Sequence, residues 1–429
     1  MTLPYDFVVA LQRSLRYNKG RNTKRSMPMK KVLCLLLALL LCGCGAQTPK
    51  ETTIDSTFVI VCDENATMQQ AAVSLQSNLK HKHGLELEVV TAAPAEGKTI
   101  TLRVDSTLSA GEYRTRLTED GVVIEVQSAS VMPLAMRYIC AGWPADNKLT
   151  AEYCATGLSG AYPLEEAPFL VLTQNIRFDN DGNGNNVIDR APRFNQLVQQ
   201  YIPDIMCIQE DNRYWAPIMD KFFGELYTVF GEYSGGADTT KGNRQSIYFR
   251  TDRYDLVENG ALWLSDTPTE PMTKFEDSKS VRHCTWVLLK DKYTGRELFV
   301  CDIHLDNTTN EVRLAQLEVL YEHLSSYMET YPTIMCGDFN ARPDSGVYEE
   351  VTKTFLDPHV TASAKPDFTE YSFTRYGTAQ FGTDDEPRRL DYLFYNDRLI
   401  AQMYRIMTDT YDGYISDHYG VMAEYSFAE

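Results

Sequence analysis

Positive charge is scarce in this chain of 429 residues, which has 41 Lys plus Arg against 59 Asp plus Glu and a formal net charge of −18. Within 166–429 the balance is 24 against 43, and no cluster of Lys and Arg interleaved with aromatics occurs there. Sequence-independent binding of a duplex requires such a patch, so a long polyanion is not the expected partner. Apolar runs are short as well: the ten residues 32–41 fall well below the ~20 needed to span a bilayer. Seven cysteines follow residue 44. Their number is odd and their spacing matches no metal-ligand pattern, so no disulfide framework is expected; placed in apolar runs such as 205–208, they read as small buried hydrophobes. No strand-to-helix glycine pattern surrounds Gly182-Asn-Gly184, which reads as a turn and not as a phosphate cradle. What is present, 43% hydrophobic and 23% charged residues, is enough for sizeable cores and excludes disorder. At roughly 100–200 residues per domain there is room for two or three domains.

Lys30 and Lys31 precede the apolar run, and Cys42-Gly43-Cys44 closes it. A basic flank, a short apolar region and small residues beside a cysteine make the layout of a secretory signal. Leu41-Cys42-Gly43-Cys44 resembles the lipobox of bacterial lipoproteins, whose last cysteine is acylated and becomes the mature N-terminus; that residue is Cys44. Residues 1–28 read as upstream sequence, with Met29 as the initiator. After loss of 1–43 the chain carries 33 basic and 58 acidic residues, a net −25. The expected position is the cell envelope, anchored to the membrane by lipid and facing outside the cytoplasm.

Residues 44–53 are polar and aperiodic and read as a tether. Residues 54–143 form a small α/β domain: strands at 58–62, 85–90, 99–104 and 121–126, a helix over 66–81 stopped by Gly84, and a last helix starting at 131–138. Its order of elements resembles the non-catalytic α/β domain that precedes the barrel of many glycoside hydrolases, which implies a glycan as a further partner. His81 and His83 lie on its polar helix end and read as solvated. Residues 144–167, with Pro144, Gly157, Gly160 and Pro163, read as a linker.

From 168 onward strands and helices alternate, and polar residues recur at strand ends. The strand 169–175 ends in Asn175, the buried strand 203–210 in Glu210, the apolar strand 298–304 in His304. The segment 331–340 ends in Asp338 and Asn340 after a Gly that allows close backbone approach. Asp391 opens the strand 391–395, and Asp417-His418 enters the last strand. Any one of these is an ordinary strand-end polar group; six in this order are a pattern.

Gln-Asn-Ile-Arg (174–177), Ile-Gln-Glu (208–210), Ile-His-Leu-Asp (303–306), Gly-Asp-Phe-Asn (337–340), Arg-Leu-Asp-Tyr (389–392) and Ser-Asp-His-Tyr (416–419) together resemble the endonuclease/exonuclease/phosphatase family. The segment 263–268 also looks like one common in its magnesium-dependent members. The resemblance implies a four-layer α/β sandwich over 168–429, two mixed sheets face to face with helices outside. It implies hydrolysis of a phosphate ester, whose negative charge repels hydroxide and calls for a hard cation. Mg²⁺, with Mn²⁺ as a substitute, takes oxygen ligands; Glu210 is the first choice, with Asn175 and Asp417 completing the set. His418 fits the general base, held and charge-stabilised by Asp391. Asp338 and Asn340 would orient water and phosphoryl oxygens, and His304 would donate to phosphate or protonate the leaving oxygen. Arg193 and Arg313 stand where the family often carries arginine and could reach the phosphate, or could be helix-surface charges. His283, His323 and His359 lie outside the motifs. Many members have a tryptophan before the helix arginine where this chain reads Asn185-Asn-Val-Ile-Asp-Arg190, a departure at the rim that touches substrate and not cation.

The acidic balance favours a small or lipid-linked phosphate ester over nucleic acid. An exported nuclease is the alternative, and a non-enzymatic glycan-binding lipoprotein a third reading that the intact motif set weighs against. For the N-terminus the expectation is direct: Cys44→Ala should move the protein from the membrane pellet to the soluble or secreted fraction. Unchanged membrane retention of the variant contradicts the acylation site.

Overall fold

The computed structural model of the chain describes residues 49–366, 369–384 and 386–429. The signal segment, Cys44 and the first half of the expected tether, 44–48, lie outside the described residues. No helix among those described is long and apolar enough to cross a membrane. The chain divides into two compact units that part between Ala161 and Tyr162.

The first unit runs β1 (Glu51–Thr53), β2 (Phe58–Val61), α1 (Ala66–His83), β3 (Glu88–Val90), β4 (Lys98–Val104), β5 (Glu112–Thr118), β6 (Gly121–Val126), α2 (Met132–Gly142), β7 (Lys148–Thr150), α3 (Ala151–Gly157) and β8 (Gly160–Ala161). Its main sheet has the order β3-β2-β4-β6-β5-β8. The Asn65 side chain caps α1 by accepting from the Thr67 and Met68 N–H groups, and Gly84 at φ +68° ends it, the left-handed stop that glycine makes without a Cβ penalty. Met68, Ala71, Ala72, Leu75 and Leu79 at helical spacing are buried with Ile60, Ile100, Val122 and Ile124 of the sheet. Another set of sheet side chains builds a charged cluster. Glu125 on β6 lies in register with Arg103 of β4 and Arg114 of β5. Its carboxylate accepts from Arg103 Nε (2.8 Å), Arg114 Nε (2.9 Å) and Arg116 Nε and Nη2 (3.1 Å each). The glutamate is wholly covered while the three arginines stay 40–52% exposed.

Two expectations are corrected here. The segment 144–161 is not a linker: β7 pairs with β1, α3 follows, and β8 joins the sheet beside β5. The last residues of the expected tether, Glu51–Thr53, are strand β1 for the same reason. Only Leu149, Cys154 and Leu158 anchor the 144–161 stretch in the core, too few apolar positions to show a period. Strand β5 carries Arg114 and Arg116 at alternate positions, so it offers no apolar alternation to read, and only 88–90 of the expected strand 85–90 is extended.

The second unit runs β9 (Phe169–Asn175), α4 (Val187–Tyr201), β10 (Ile205–Asp211), α5 (Ala216–Phe223), β11 (Tyr227–Tyr233), β12 (Arg244–Arg250), β13 (Tyr254–Trp263), β14 (His283–Asp291), β15 (Glu297–His304), α6 (Asn310–Thr330), β16 (Thr333–Asp338), α7 (Gly346–Thr352), α8 (Pro358–Thr361), β17 (Asp391–Tyr395), β18 (Leu399–Met407) and β19 (Gly420–Phe427). Two mixed sheets result, β11-β12-β10-β9-β19-β18 and β13-β14-β15-β16-β17. Val171, Ile205 and Ile247 of one sheet meet Val287, Val300 and Ile334 of the other. On the outer faces, Phe194 and Leu197 of α4 and Met219 of α5 cover Leu172, Met206 and Ile208, while Leu317 and Leu320 of α6 and Val347 of α7 cover Phe299, Cys301 and Met335. The fold is thus a four-layer α/β sandwich, as expected. All seven described cysteines are buried and unpaired.

Every strand near the middle alternates by two, one side to the helices and one to the facing sheet. The inward rows begin apolar and turn polar over their last two rungs. Val300, Ile334 and Tyr395 align across β15, β16 and β17; two residues on, Asp302, Cys336 and Leu393; two more, His304, Asp338 and Asp391. On the other sheet Val171 and Ile205 give way to Thr173 and Cys207, then to Asn175 and Gln209. The core therefore turns polar at one end of the sandwich, and at that end the two sheets face each other across a cavity. The opposite end is tied by Asp204, whose carboxylate accepts from the Leu170 N–H (2.7 Å) and pairs with the buried Arg253 (3.2 Å).

The Glu125 cluster makes a pH prediction. Burial alone would raise its carboxyl, but the three guanidinium groups hold it down at about 2. A depressed folded value contributes stability that is present above the ordinary carboxylate range and is lost as pH falls through the folded value. Glu125→Gln should therefore speed amide exchange in β4 and β6 at pH 7, by about 1–2 kcal/mol of opening free energy given that the partly exposed arginines can turn to water. The gap to the parent chain should close between pH 4.5 and 2. A gap that does not change across that window contradicts the assignment.

Candidate active site

The polar rung of the sandwich forms one wall of a cavity of about 660 Å³ lined by Asn175, Glu210, His304, Asp338, Asn340, Asp417 and His418 among others. Asp391 sits just behind them, its Oδ2 2.8 Å from His418 Nδ1. All eight residues singled out in the sequence for catalysis or cation binding thus come together. Cys44 lies outside the described residues.

Local backbone explains how. Glu210 has φ +61°, and the β10–β12 register shifts between Ile208 and Asp211. This bulge leaves Gln209 facing inward and aims Glu210 into the cavity; a left-handed non-glycine residue costs of order 1–3 kcal/mol and marks a position that the surroundings enforce. Gly337 has φ +130°, and a Cβ there would lie 1.9 Å from the Ile303 carbonyl oxygen. Only glycine lets β16 approach β15 closely enough to set Asp338 beside His304. The Ser372 hydroxyl accepts from the Leu390 and Asp391 N–H groups (3.0 and 3.2 Å) and fixes the start of β17.

Asp338 is the hub. Its Oδ2 accepts from Asn175 Nδ2 at 3.0 Å and faces His304 Nε2 at 3.4 Å and His418 Nε2 at 3.9 Å; its Oδ1 accepts from the Asn340 N–H at 2.9 Å. Burial, and then the Asp391 carboxylate, push the Asp338 carboxyl up to about 7, against the pull of His418 and its hydrogen bonds. Burial opposes charge on His418 too, yet Asp391 and Asp338 hold its imidazole well above the usual range. Burial, with Arg282 and His418 nearby, drives His304 well below the usual range, so this imidazole is neutral.

The donor set suits a hard divalent cation. Glu210, Asp338 and Asp417 carboxylates and two amides supply oxygen, and no thiol lines the cavity, the oxygen-rich set that a hard cation takes. Asp338, Asp391 and His418 place ligand atoms within 4.8 Å of one another, but His418 Nδ1 is already committed to Asp391. Glu210 accepts from Asn175 Nδ2 (3.2 Å) and the Phe178 N–H (3.0 Å) and keeps lone pairs free. Asn175 Oδ1 accepts from the Arg177 N–H (2.9 Å), which leaves one lone pair for a ligand role. Asp417 Oδ2 faces Arg177 Nε at 4.0 Å.

Of the two flagged arginines, Arg313 lines the cavity while Arg193 does not: its Nη1 donates to the Gly184 and Tyr414 carbonyls (2.9 Å each), and it braces two loops. His283, buried, bonds through Nε2 to the Glu232 carbonyl (2.8 Å). Sequence reading missed Arg177 and Arg282, which also line the cavity. The signal for Arg282 was a lone cation directly before an apolar strand.

An α/β sandwich that gathers carboxylates, amides and a carboxylate-held histidine at the seam of its two sheets is the layout of a phosphoesterase. The endonuclease/exonuclease/phosphatase family profile matches residues 172–418, and the chain belongs to that family. An endonuclease/exonuclease/phosphatase family protein of Bacteroides thetaiotaomicron is 27% identical, with TM-score 0.56 over 62% of this chain and 99% of its own. A mannosyl-6-phosphatase of the same organism is 27% identical, with TM-score 0.55 over 60% of this chain and 100% of its own. Nocturnin of Xenopus laevis is 26% identical over 253 residues, 54% of this chain and 63% of its own length. The chain thus spans less than two thirds of the curated relatives it matches first.

If Glu210 binds the cation, Glu210→Gln should raise the Mg²⁺ concentration for half-maximal activity by ~10-fold or more, the scale on which even outer partners alter metal affinity. EDTA should abolish turnover. Undiminished turnover in EDTA without added metal contradicts a cation site.

Proposed function

We propose that the protein is a divalent-cation-dependent phosphatase of small phosphate esters, such as a sugar phosphate, working at the cell surface. The arrangement that carries this reading is the Asp338 hub flanked by the neutral His304 and the Asp391–His418 pair. A cavity of about 660 Å³ suits a small molecule, and the acidic chain disfavours a polyanion. The likeness to the whole length of a mannosyl-6-phosphatase supports the same substrate class. Acylation at Cys44 gives the envelope position.

Glu210, Asn175 and Asp417 would hold Mg²⁺, or Mn²⁺ in its place, which would supply positive charge to offset the phosphoryl group and the leaving oxygen. The side chains do the rest. Asp391 fixes His418 through Nδ1, so that Nε2 faces the cavity; with a cation offsetting the acidic charge that raises it, the imidazole would be neutral at Nε2 and take the proton of the attacking water. Asp338 and the Asn340 amide orient that water and the phosphoryl oxygens. His304, being neutral, acts as an N–H donor to phosphate in this scheme, not as a charged acid.

A nuclease is the second reading, favoured by the 23% identity over 199 residues to the Ccr4 3′-5′-exoribonuclease subunit of Saccharomyces cerevisiae. Assay of the purified chain with Mg²⁺ against a sugar phosphate, a generic phosphodiester, sphingomyelin and RNA separates the two; turnover of RNA alone overturns the phosphatase. For the catalytic pair, Asp391→Asn and His418→Ala should each lower kcat by ~10²–10⁴-fold, and the double variant by little more than either, since groups acting as a unit are non-additive. Losses that multiply show that His418 does not depend on Asp391.

A further inference from the structure

Arg282 is a cation at the cavity wall that the roles above leave unused. The other enclosed arginines of this unit are committed: Arg244 to Asp211, Arg250 and Arg253 to Asp204, Arg389 to Asp357, and Arg190 to backbone carbonyls. The Arg282 guanidinium makes no hydrogen bond or ion pair with a described residue, and its Nε is fully covered. The guanidinium is half-buried, with only Nε fully covered. Burial opposes its charge, and Glu210, Asp338 and Asp306 support it only through space.

Asp306 shows why those acids do not pair with it. Its Oδ2 accepts from the Ser280 N–H (2.8 Å), and its Oδ1 from the Thr308 N–H (3.0 Å) and hydroxyl (2.8 Å). The carboxylate is consumed in pinning the turn that leads to Arg282 onto the turn that follows β15. The Asp306 carbonyl accepts from Arg313 Nη1 at 3.0 Å, and Asn310 Oδ1 from Arg313 Nη2 at 2.8 Å, while Arg313 Nε is buried without a partner. One aspartate thus holds two guanidinium-bearing segments at the cavity wall and neutralises neither by an ion pair.

We propose that Arg282, together with Arg313, receives the non-bridging oxygens of a phosphomonoester dianion and so selects monoesters over diesters at this site. The proposal rests on the phosphate-ester reading above and narrows it. A monoester carries about −1.5 to −2 at pH 7 and three free oxygens, whereas a diester carries one charge and has one of those oxygens blocked. Planar guanidinium forks match two phosphoryl oxygens at once, and two forks together need the third free oxygen that a diester lacks.

The test uses the full chain with Mg²⁺ and the variants Arg282→Gln, Arg282→Lys and Arg313→Gln, with folding checked by circular dichroism. Arg282→Gln should lower kcat/KM for 4-nitrophenyl phosphate by ~10²-fold, the scale of losing one preorganised donor, and for bis(4-nitrophenyl) phosphate by under about tenfold. Arg282→Lys should restore only part of the loss, since a point charge replaces a fork. Calorimetry with inorganic phosphate should show affinity weakened by about tenfold or more in Arg282→Gln and in Arg313→Gln. Equal losses on the two esters, or unchanged phosphate affinity in the variants, overturn the proposal. If the parent chain hydrolyses no phosphate ester, the hydrolase reading fails by itself, and the calorimetry still decides whether Arg282 and Arg313 hold phosphate. Should Arg282→Gln not fold, Arg313→Gln carries both arms.

Discussion

Among the hydrogen bonds that cross the seam between the two sheets of the second unit, three carry the candidate site. Gln209 Nε2 of β10 reaches Asp302 Oδ1 of β15 at 2.6 Å, Asn175 of β9 reaches Asp338 of β16, and His418, entering β19, reaches Asp391 of β17. Each joins a residue of one sheet to a residue of the other, so the site exists only when the sandwich is closed. Such bonds gain strength from the low dielectric around them and are costly when half made. The site is the last rung of the core, with the apolar rows below it serving as the rigid mount.

That construction accounts for what was legible in the sequence. Strand ends such as Asn175, His304 and Asp338 stood out because a polar residue closes an apolar run, and the four-layer fold followed from the family that those fragments resemble. Convergence itself was not legible from any fragment. The alignment of His304, Asp338 and Asp391 on one rung comes from register across three strands, which pairing partners far apart in sequence decide. The same holds for Arg282, whose guanidinium has no partner among the described residues, and for Arg193, which braces loops at a helix position that could equally have faced phosphate. In the first unit, β7, α3 and β8 were hidden by brevity. A stretch anchored by three buried residues, Leu149, Cys154 and Leu158, has no period to detect.

Charge within the site is divided by strand. Glu210 and Asp417 belong to the six-stranded sheet side, with Arg177 beside Asp417. Asp338 and Asp391 belong to the five-stranded sheet, and there burial and their mutual repulsion lift the Asp338 carboxyl to about 7, while the two carboxylates raise the His418 imidazole between them. On the proposed reading, proton chemistry is concentrated at the Asp338–His418–Asp391 row, and Glu210, aimed inward by its left-handed backbone, is left for the cation.

This separation of tasks is the central claim, and crystals of the chain soaked in Mn²⁺ test it most directly by anomalous diffraction. The account predicts anomalous density bonded to the Glu210 carboxylate, with His418 Nδ1 still bonded to Asp391. Density bonded only to Asp338, Asp391 and His418, with Glu210 bare, contradicts it.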